Sequence, residues 1–324
     1  MAEIFDTLLL LALPASGKSE VRRYLAQMSP EACRDDFHMG PTAQLDDFPY
    51  VHIMRVIDDQ LVALGRERVF FKADDQGYIS PFDWGTLIHL INEDYADMRA
   101  KAIADPPSAG ALLMERIDAA SEKAGAPVRL RGLPADVRDA VAKGVEDESR
   151  VLLDNKHAEY PDTLEGKTLV IEFARGGGEG LSMPLPDGYG YRYSLAQLAP
   201  EILERAVILY IWVTPEESRR KNAVRADPND PGSILHHGVP EAVMRNEYGC
   251  DDMTWLEETS AKPGTVTVEA HGRTFHIPIA RFDNREDKTS FIRADRADWA
   301  QADVDAIQGG MKAALDKLIA AWRS

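Results

Sequence analysis

The sequence predicts an α/β fold, a three-layer sandwich with a mainly parallel sheet and a large helical insertion. Continuous apolar runs at residues 7–13, 168–173 and 206–213 lack the polar alternation of half-exposed strands, so both of their faces must be covered. Helical patterns follow the runs, and strands alternating with helices place a parallel sheet between two helical layers. Residues 37–161 interrupt that alternation with a mostly helical pattern. The expected division is therefore a core of 1–36 and 162–324, with 37–161 inserted as a subdomain for a substrate or partner.

The elements follow in order. After 7–13, Pro14-Ala15-Ser16-Gly17 breaks the strand, and 18–28 reads as a helix with Val21, Leu25 and Met28 on its buried stripe. A short strand is expected at 31–34, ending in Asp35-Asp36. Helices are expected at 51–64, 82–103, 109–124 and 134–157, with a short strand at 68–72 and breaks at Pro106-Pro107 and 132–134. The strand at 168–173 leads into a glycine-rich loop, Arg175-Gly176-Gly177-Gly178-Glu179-Gly180. Next come a helix at 194–204, the strand at 206–213 and a helix opened by Pro215, a residue suited to the first turn, running to about 226. Residues 227–232 are turn-rich. Strands at 265–269 and 273–280 form a hairpin about His271-Gly272, and a last helix spans 297–322 with a bend expected at Gly309-Gly310.

Composition narrows the function. A length of 324 residues suits one large domain or a core with a subdomain, and 44% hydrophobic with 28% charged residues is ordinary for a soluble chain with a sizeable core. The net charge of −17, from 37 Lys+Arg against 54 Asp+Glu, argues against a nucleic-acid partner, because such affinity rests on cations neutralising phosphates. Two cysteines, Cys33 and Cys250, make no disulfide framework, which points to a reducing cytoplasm. The leucine run at 8–13 is preceded by Glu3 and Asp6 and by no Lys or Arg, and it is too short to cross a bilayer. It reads as a buried strand rather than a signal or membrane segment.

The segment Ala12-Leu13-Pro14-Ala15-Ser16-Gly17-Lys18-Ser19 fits the Walker A pattern with Ala12 in place of the first glycine. Its apolar strand before and amphipathic helix after are the context the motif needs. Backbone N–H groups of Pro14-to-Glu20, the span Pro14, Ala15, Ser16, Gly17, Lys18, Ser19 and Glu20 (proline excepted as a donor), would wrap phosphates. Lys18 would reach the β and γ oxygens, and the Ser19 hydroxyl would bind Mg²⁺.

On these residues the chain resembles the P-loop kinases. The likeness extends to Arg34-Asp35-Asp36-Phe37-His38, which is similar to the Arg-Asp-Asp-aromatic-Arg motif of polynucleotide-kinase-type enzymes, with His38 standing where they carry arginine. The resemblance implies that Asp35 takes the proton of the acceptor hydroxyl and that Asp36 and His38 lie at the substrate. It covers about half the chain and does not reach the insertion.

Other candidates carry two readings each. Glu172, at the end of the apolar strand, is placed as a Mg²⁺ ligand through water or as a solvent-facing strand end. Arg175 and its glycines form a substrate clamp or a plain loop. Arg219, Arg220, Lys221 and Arg225 cluster on one helix, with Arg245 to join from the next. In the resembled kinases arginines here neutralise the transferred phosphoryl, and the other reading pairs them with Glu216 and Glu217. Asp46-Asp47, His52 and Arg55, around Phe48-Pro49-Tyr50, form an acceptor pocket or cap the next helix. His38, His52, His89, His236 and His237 have no zinc-ligand spacing and read as ordinary histidines.

Together these features lead to the expectation of an ATP-dependent kinase with Mg²⁺ as cofactor. Lys18, Asp35, Arg219, Arg220 and Arg225 are the catalytic set, and Asp36, His38, Arg55 and Arg175 contact an acceptor that is a small molecule. Absence of an Asn-Lys-x-Asp guanine motif favours ATP over GTP. The alternative is a regulatory ATPase switch whose insertion binds a protein. A kinase of nucleic-acid ends is opposed by the charge.

Overall fold

The computed structural model describes residues 4–225 and 238–323. Its six-stranded sheet has the order β2-β3-β1-β4-β6-β5, formed by β1 (Thr7–Leu11), β2 (Thr42–Asp46), β3 (Thr168–Phe173), β4 (Ala206–Trp212), β5 (Thr265–Ala270) and β6 (Arg273–Asp283). The first five in that order are parallel, and β5 joins the edge antiparallel to β6. His271 and Gly272, both at positive φ, make the tight turn between β5 and β6.

Alternate residues of the buried strands face two separate cores. Leu9, Leu11, Ile171, Phe173 and Ile208 pack on one side under α4 (Asp83–Ala100), α8 (Gly190–Ala196), α9 (Pro200–Leu203) and α12 (Met253–Glu258). Leu8, Leu10, Val170, Leu209 and Ile211 pack on the other under α1 (Lys18–Ala26), α2 (Pro30–Phe37) and α13 (Gln301–Trp322). The sheet is thus an apolar layer between two helical ones. Helix α13 runs unbroken through Gly309-Gly310, and Gly310 lets it lie close over Phe282, whose ring a Cβ there would meet at 2.7 Å.

A third core sits over the carboxyl edge of the sheet. It joins α3 (Phe48–Ala63), α5 (Ala109–Ala124), α6 (Ala135–Gly144) and α7 (Glu146–Ala158) to Leu13 and Val213, just past the ends of β1 and β4, and to Val243, Met244 and Tyr248 in and after α11 (Glu241–Asn246). Helix α4 serves two cores: Trp84, Leu87 and Leu90 face this one, and Ile88, Ile91 and Tyr95 face the sheet. Buried carboxylates fix the connections. Asp58 accepts from the N–H groups of Val69, Phe70 and Phe71, and Asp83 makes two 2.8 Å bonds with Arg129. The remaining described helix is α10 (Pro215–Arg225).

Several local expectations are corrected. Residues 31–34 are helical within α2, because Ser29 caps it by accepting from Ala32 N–H and Pro30 occupies the first turn. The strand paired with β3 comes later, as β2. The stretch 37–161 therefore includes a sheet strand and a helix of the sandwich, so position 36 is not a structural boundary. Residues 68–72 form a single bridge, Phe71 to Tyr78, because Asp58 takes the amides a neighbouring strand would have bonded. The helix expected at 134–157 is two, broken at Val145. That at 194–204 is also two, divided before Pro200.

Candidate active site

The loop between β1 and α1 is held through its carbonyls, by one of its own side chains and by two from distant segments. Ser16 Oγ donates to the Leu13 carbonyl at 2.5 Å, Ser218 Oγ to that of Pro14 at 2.7 Å, and Asn284 Nδ2 to that of Ser16 at 2.7 Å. In a trans peptide the N–H points opposite to the preceding C=O, so the amides of Ala15 and Gly17 are directed away from these braces. Ala15 and Gly17 both adopt positive φ, 55° and 105°, which curls the loop. Gly17 then caps α1 without a side chain to bond the first-turn amides. Lys18 opens the helix, mostly buried, with Nζ 3.4 Å from the Ala12 carbonyl.

The brace continues outward. Asn284 also donates to Thr289 Oγ1 at 2.9 Å, and buried Lys221 bonds Thr289 at 3.1 Å and Asp287 at 2.7 Å. A Cβ on Gly17 would fall 2.5 Å from Thr289 Oγ1. Gly17→Ala is therefore expected to cost about 1–3 kcal/mol in chemical denaturation, from a strained left-handed residue and a displaced Thr289. A denaturation midpoint equal to wild type would show that the loop relaxes freely.

Beside this loop, parallel pairing sets Asp46 level with Glu172 at the carboxyl ends of β2 and β3. The β1–α1 and β3–α8 connections leave toward opposite sides of the sheet here, and α/β folds bind ligands at such switch points. Arg22, from α1, donates to Glu172 Oε2 at 2.8 Å, lies 3.7 Å from Asp46 Oδ2 and also bonds Gln44. Asp46 Oδ1 accepts from Phe48 N–H at 2.8 Å, so it caps α3 as well. Desolvation in the cleft, then the charges of Glu172 and Asp47, push the Asp46 carboxyl up to about 7. Burial likewise raises Asp47, against the pull of Arg175 and Lys18.

No model of a known protein family matches this chain. No curated protein matches it either.

These residues line one cleft of about 430 Å³, with residues 14–20 and Asp46, Asp47 and Glu172 at one end. The other end is walled by Val51, Arg55, Phe71, Tyr78, Trp84 and Tyr248 from the helical layer above. Of the residues chosen from sequence, the structure brings together 14–20, Asp46, Asp47, His52, Arg55 and Glu172. The Glu20 carboxylate turns aside to Arg293 at 2.7 Å, leaving its backbone for the site. Ser19 is half-buried in the first turn of α1.

Other chosen residues lie elsewhere. Asp35 is exposed on α2, Asp36 faces Lys312 at 3.7 Å, and His38 bonds Asp316 at 2.8 Å, so the motif packs beside α13 and does not line the cleft. Arg175 is a correction of another kind. Its guanidinium is 1% exposed and bonds Asp47 at 2.6 Å, Ser194 at 2.9 Å and the Ala174 and Trp84 carbonyls. It positions Asp47 rather than gripping a substrate. Arg175→Met would leave Asp47 buried without its partner and is expected to cost about 3–5 kcal/mol, read by thermal or urea unfolding. The glycines after it are pinned, Gly177 exchanging two backbone bonds with Cys250.

Arg219 and Arg220 pair with Glu216 and Glu217 on their own helix, and neither lines the cleft. Arg245 pairs with Glu179 and Glu241. The Arg225 side chain, His236 and His237 lie outside the described residues. Sequence reasoning passed over Ser218, Asn284 and Thr289, which no motif marks. Among the described residues there is no cluster of three or more His, Cys, Asp or Glu able to hold a metal alone, and no helix is long and apolar enough to cross a membrane.

Proposed function

We propose that this protein is an ATP-dependent phosphotransferase of the P-loop kinase type, moving the γ-phosphate to a hydroxyl or phosphate of a small molecule. The observation that carries this reading is one cleft that is lined both by the β1–α1 loop with Lys18 and by residues of the helical layer. A phosphate-binding loop needs only the first half. The rest of the cleft supplies room for an acceptor, which a switch protein hydrolysing ATP with water does not need.

In this reading the loop amides and the first turn of α1 bind the triphosphate, with Lys18 against its β and γ oxygens. The hard oxygens of Ser19 and Glu172 suit Mg²⁺, which typically takes one or two protein ligands and completes its shell with phosphates and water. When bound, the ion offsets phosphate charge. Asp46, at a strand end with burial raising its carboxyl to about 7, would accept the acceptor's proton, the role that the resemblance implies for Asp35. Arg22 and Arg175 hold Glu172 and Asp47 in position.

Titration calorimetry with ATP and Mg²⁺, followed by ADP release across a panel of acceptors, tests the proposal. No ATP binding would sink it, and ATP hydrolysis that no acceptor stimulates would favour the switch ATPase.

A further inference from the structure

Resting on the phosphotransferase reading, we propose that the acceptor has a flat ring and an anionic group, the ring seated against Phe71, Tyr78 and Trp84 and the anion on Arg55.

The anionic half rests on Arg55. Its guanidinium lies 3.9 Å over the Phe71 ring and donates to the carbonyls of Asp74 at 2.9 Å and Gln76 at 3.1 Å. Among the described residues it makes no ion pair, although the chain carries 54 acidic side chains against 37 basic ones. By contrast Arg22, Arg175 and Lys221 each meet a carboxylate. Partial burial lowers the Arg55 pKa, against the pull of Tyr78 and Asp58. A guanidinium has five N–H groups, and two carbonyl bonds fix its plane while leaving donors for a ligand. A carboxylate or phosphate fits that fork and would supply the direct ion pair that Arg55 lacks among the described residues.

The ring half rests on the walls. Phe71 and Tyr78 stack with centroids 4.4 Å apart, Trp84 meets Tyr78 edge-on at 4.9 Å, and Tyr248 meets Trp84 at 5.6 Å. These rings are fixed before any ligand arrives. Asp58 clamps the Phe71 amide, the bridge ties Phe71 to Tyr78, and Trp84 Nε1 donates to Glu247 at 3.1 Å. Packed on one another, Phe71, Tyr78 and Trp84 are only 1–5% exposed and offer a ligand their margins, and so rigid a wall favours a flat partner because little order is lost on binding. A polyol needs several hydrogen-bonding side chains, and this wall offers few.

Binding is measured by calorimetry with the donor site first saturated by Mg²⁺ and a nonhydrolysable ATP analogue. The ring anions are indole-3-acetate and thymidine 5′-monophosphate, their neutral counterparts are indole-3-ethanol and thymidine, and glucose 6-phosphate is an anion without a flat ring. At least one ring anion should bind about tenfold or more tighter than its neutral counterpart and than glucose 6-phosphate. Which of the two does so separates a carboxylate from a phosphate. Arg55→Met should erase the preference, with the unfolding midpoint as the check on folding, and Arg55→Lys should keep part of it. Equal binding of glucose 6-phosphate, or a preference untouched in Arg55→Met, overturns the inference. If the ATP analogue binds and no ring anion does, this inference alone fails. If the analogue itself does not bind, the phosphotransferase reading fails first.

Discussion

Lys18→Ala is expected to lower ATP turnover by about 10²–10³-fold, the usual cost of removing one preorganised charge from a transferring group. The neighbouring cations cannot replace it. Arg22 is bonded to Glu172 and Gln44, and Arg175 to Asp47, Ser194 and two backbone carbonyls. The fold should survive, because the loop is braced independently of Lys18, by Ser218 on the Pro14 carbonyl and Asn284 on that of Ser16. Steady-state ADP release, compared with the unfolding midpoint of each protein, reads both parts. Wild-type turnover in a folded variant would remove the phosphate-binding role from this loop.

Asp46→Asn should abolish transfer to the acceptor, by about 10²–10⁴-fold, and spare ATP affinity and background hydrolysis. Asp35→Asn, on the exposed face of α2, should leave all three unchanged. The opposite pattern would return the base role to Asp35. In wild type, acceptor-dependent kcat/KM should climb with pH through about 7, as the Asp46 carboxyl ionises.

Stability runs the other way. The folded state holds the Asp46 carboxyl above its ordinary 3.8, so it favours the protonated form. That contribution is full below about pH 4 and is lost as pH rises through 7. Asp46→Asn, neutral throughout, should therefore gain stability relative to wild type between pH 4 and pH 8. A constant difference across that range would mean that Asp46 titrates normally. A carboxylate that weakens the fold where it works is a common bargain at active sites.

The sequence by itself determined the parts whose signal is local. β1, β3 and β4 are mostly apolar runs without polar alternation, and the first ends at a Pro-Ala-Ser-Gly break followed by a helix with a 3.6-residue stripe. The hairpin of β5 and β6 was marked by His271-Gly272. Such patterns arise from burial on two faces or one, and neighbours in sequence record them.

Tertiary structure decided what depends on distant partners. β2 is five residues with an exposed first position, too short and mixed to outweigh the helical pattern around it; only pairing with β3 makes it a strand and carries Asp46 to the cleft. The sequence showed Asp46 and Asp47 as an acidic pair, with either pocket or cap as their role, and Asp46 does both. Arg175 looked like a clamp until its partner, 128 residues away, was found buried against it. Ser218 and Asn284 carry no signature at all, because any small polar side chain reads alike until the fold sets it against a carbonyl 204 or 268 residues distant. A buried polar group must find a partner, and the chain alone does not say which.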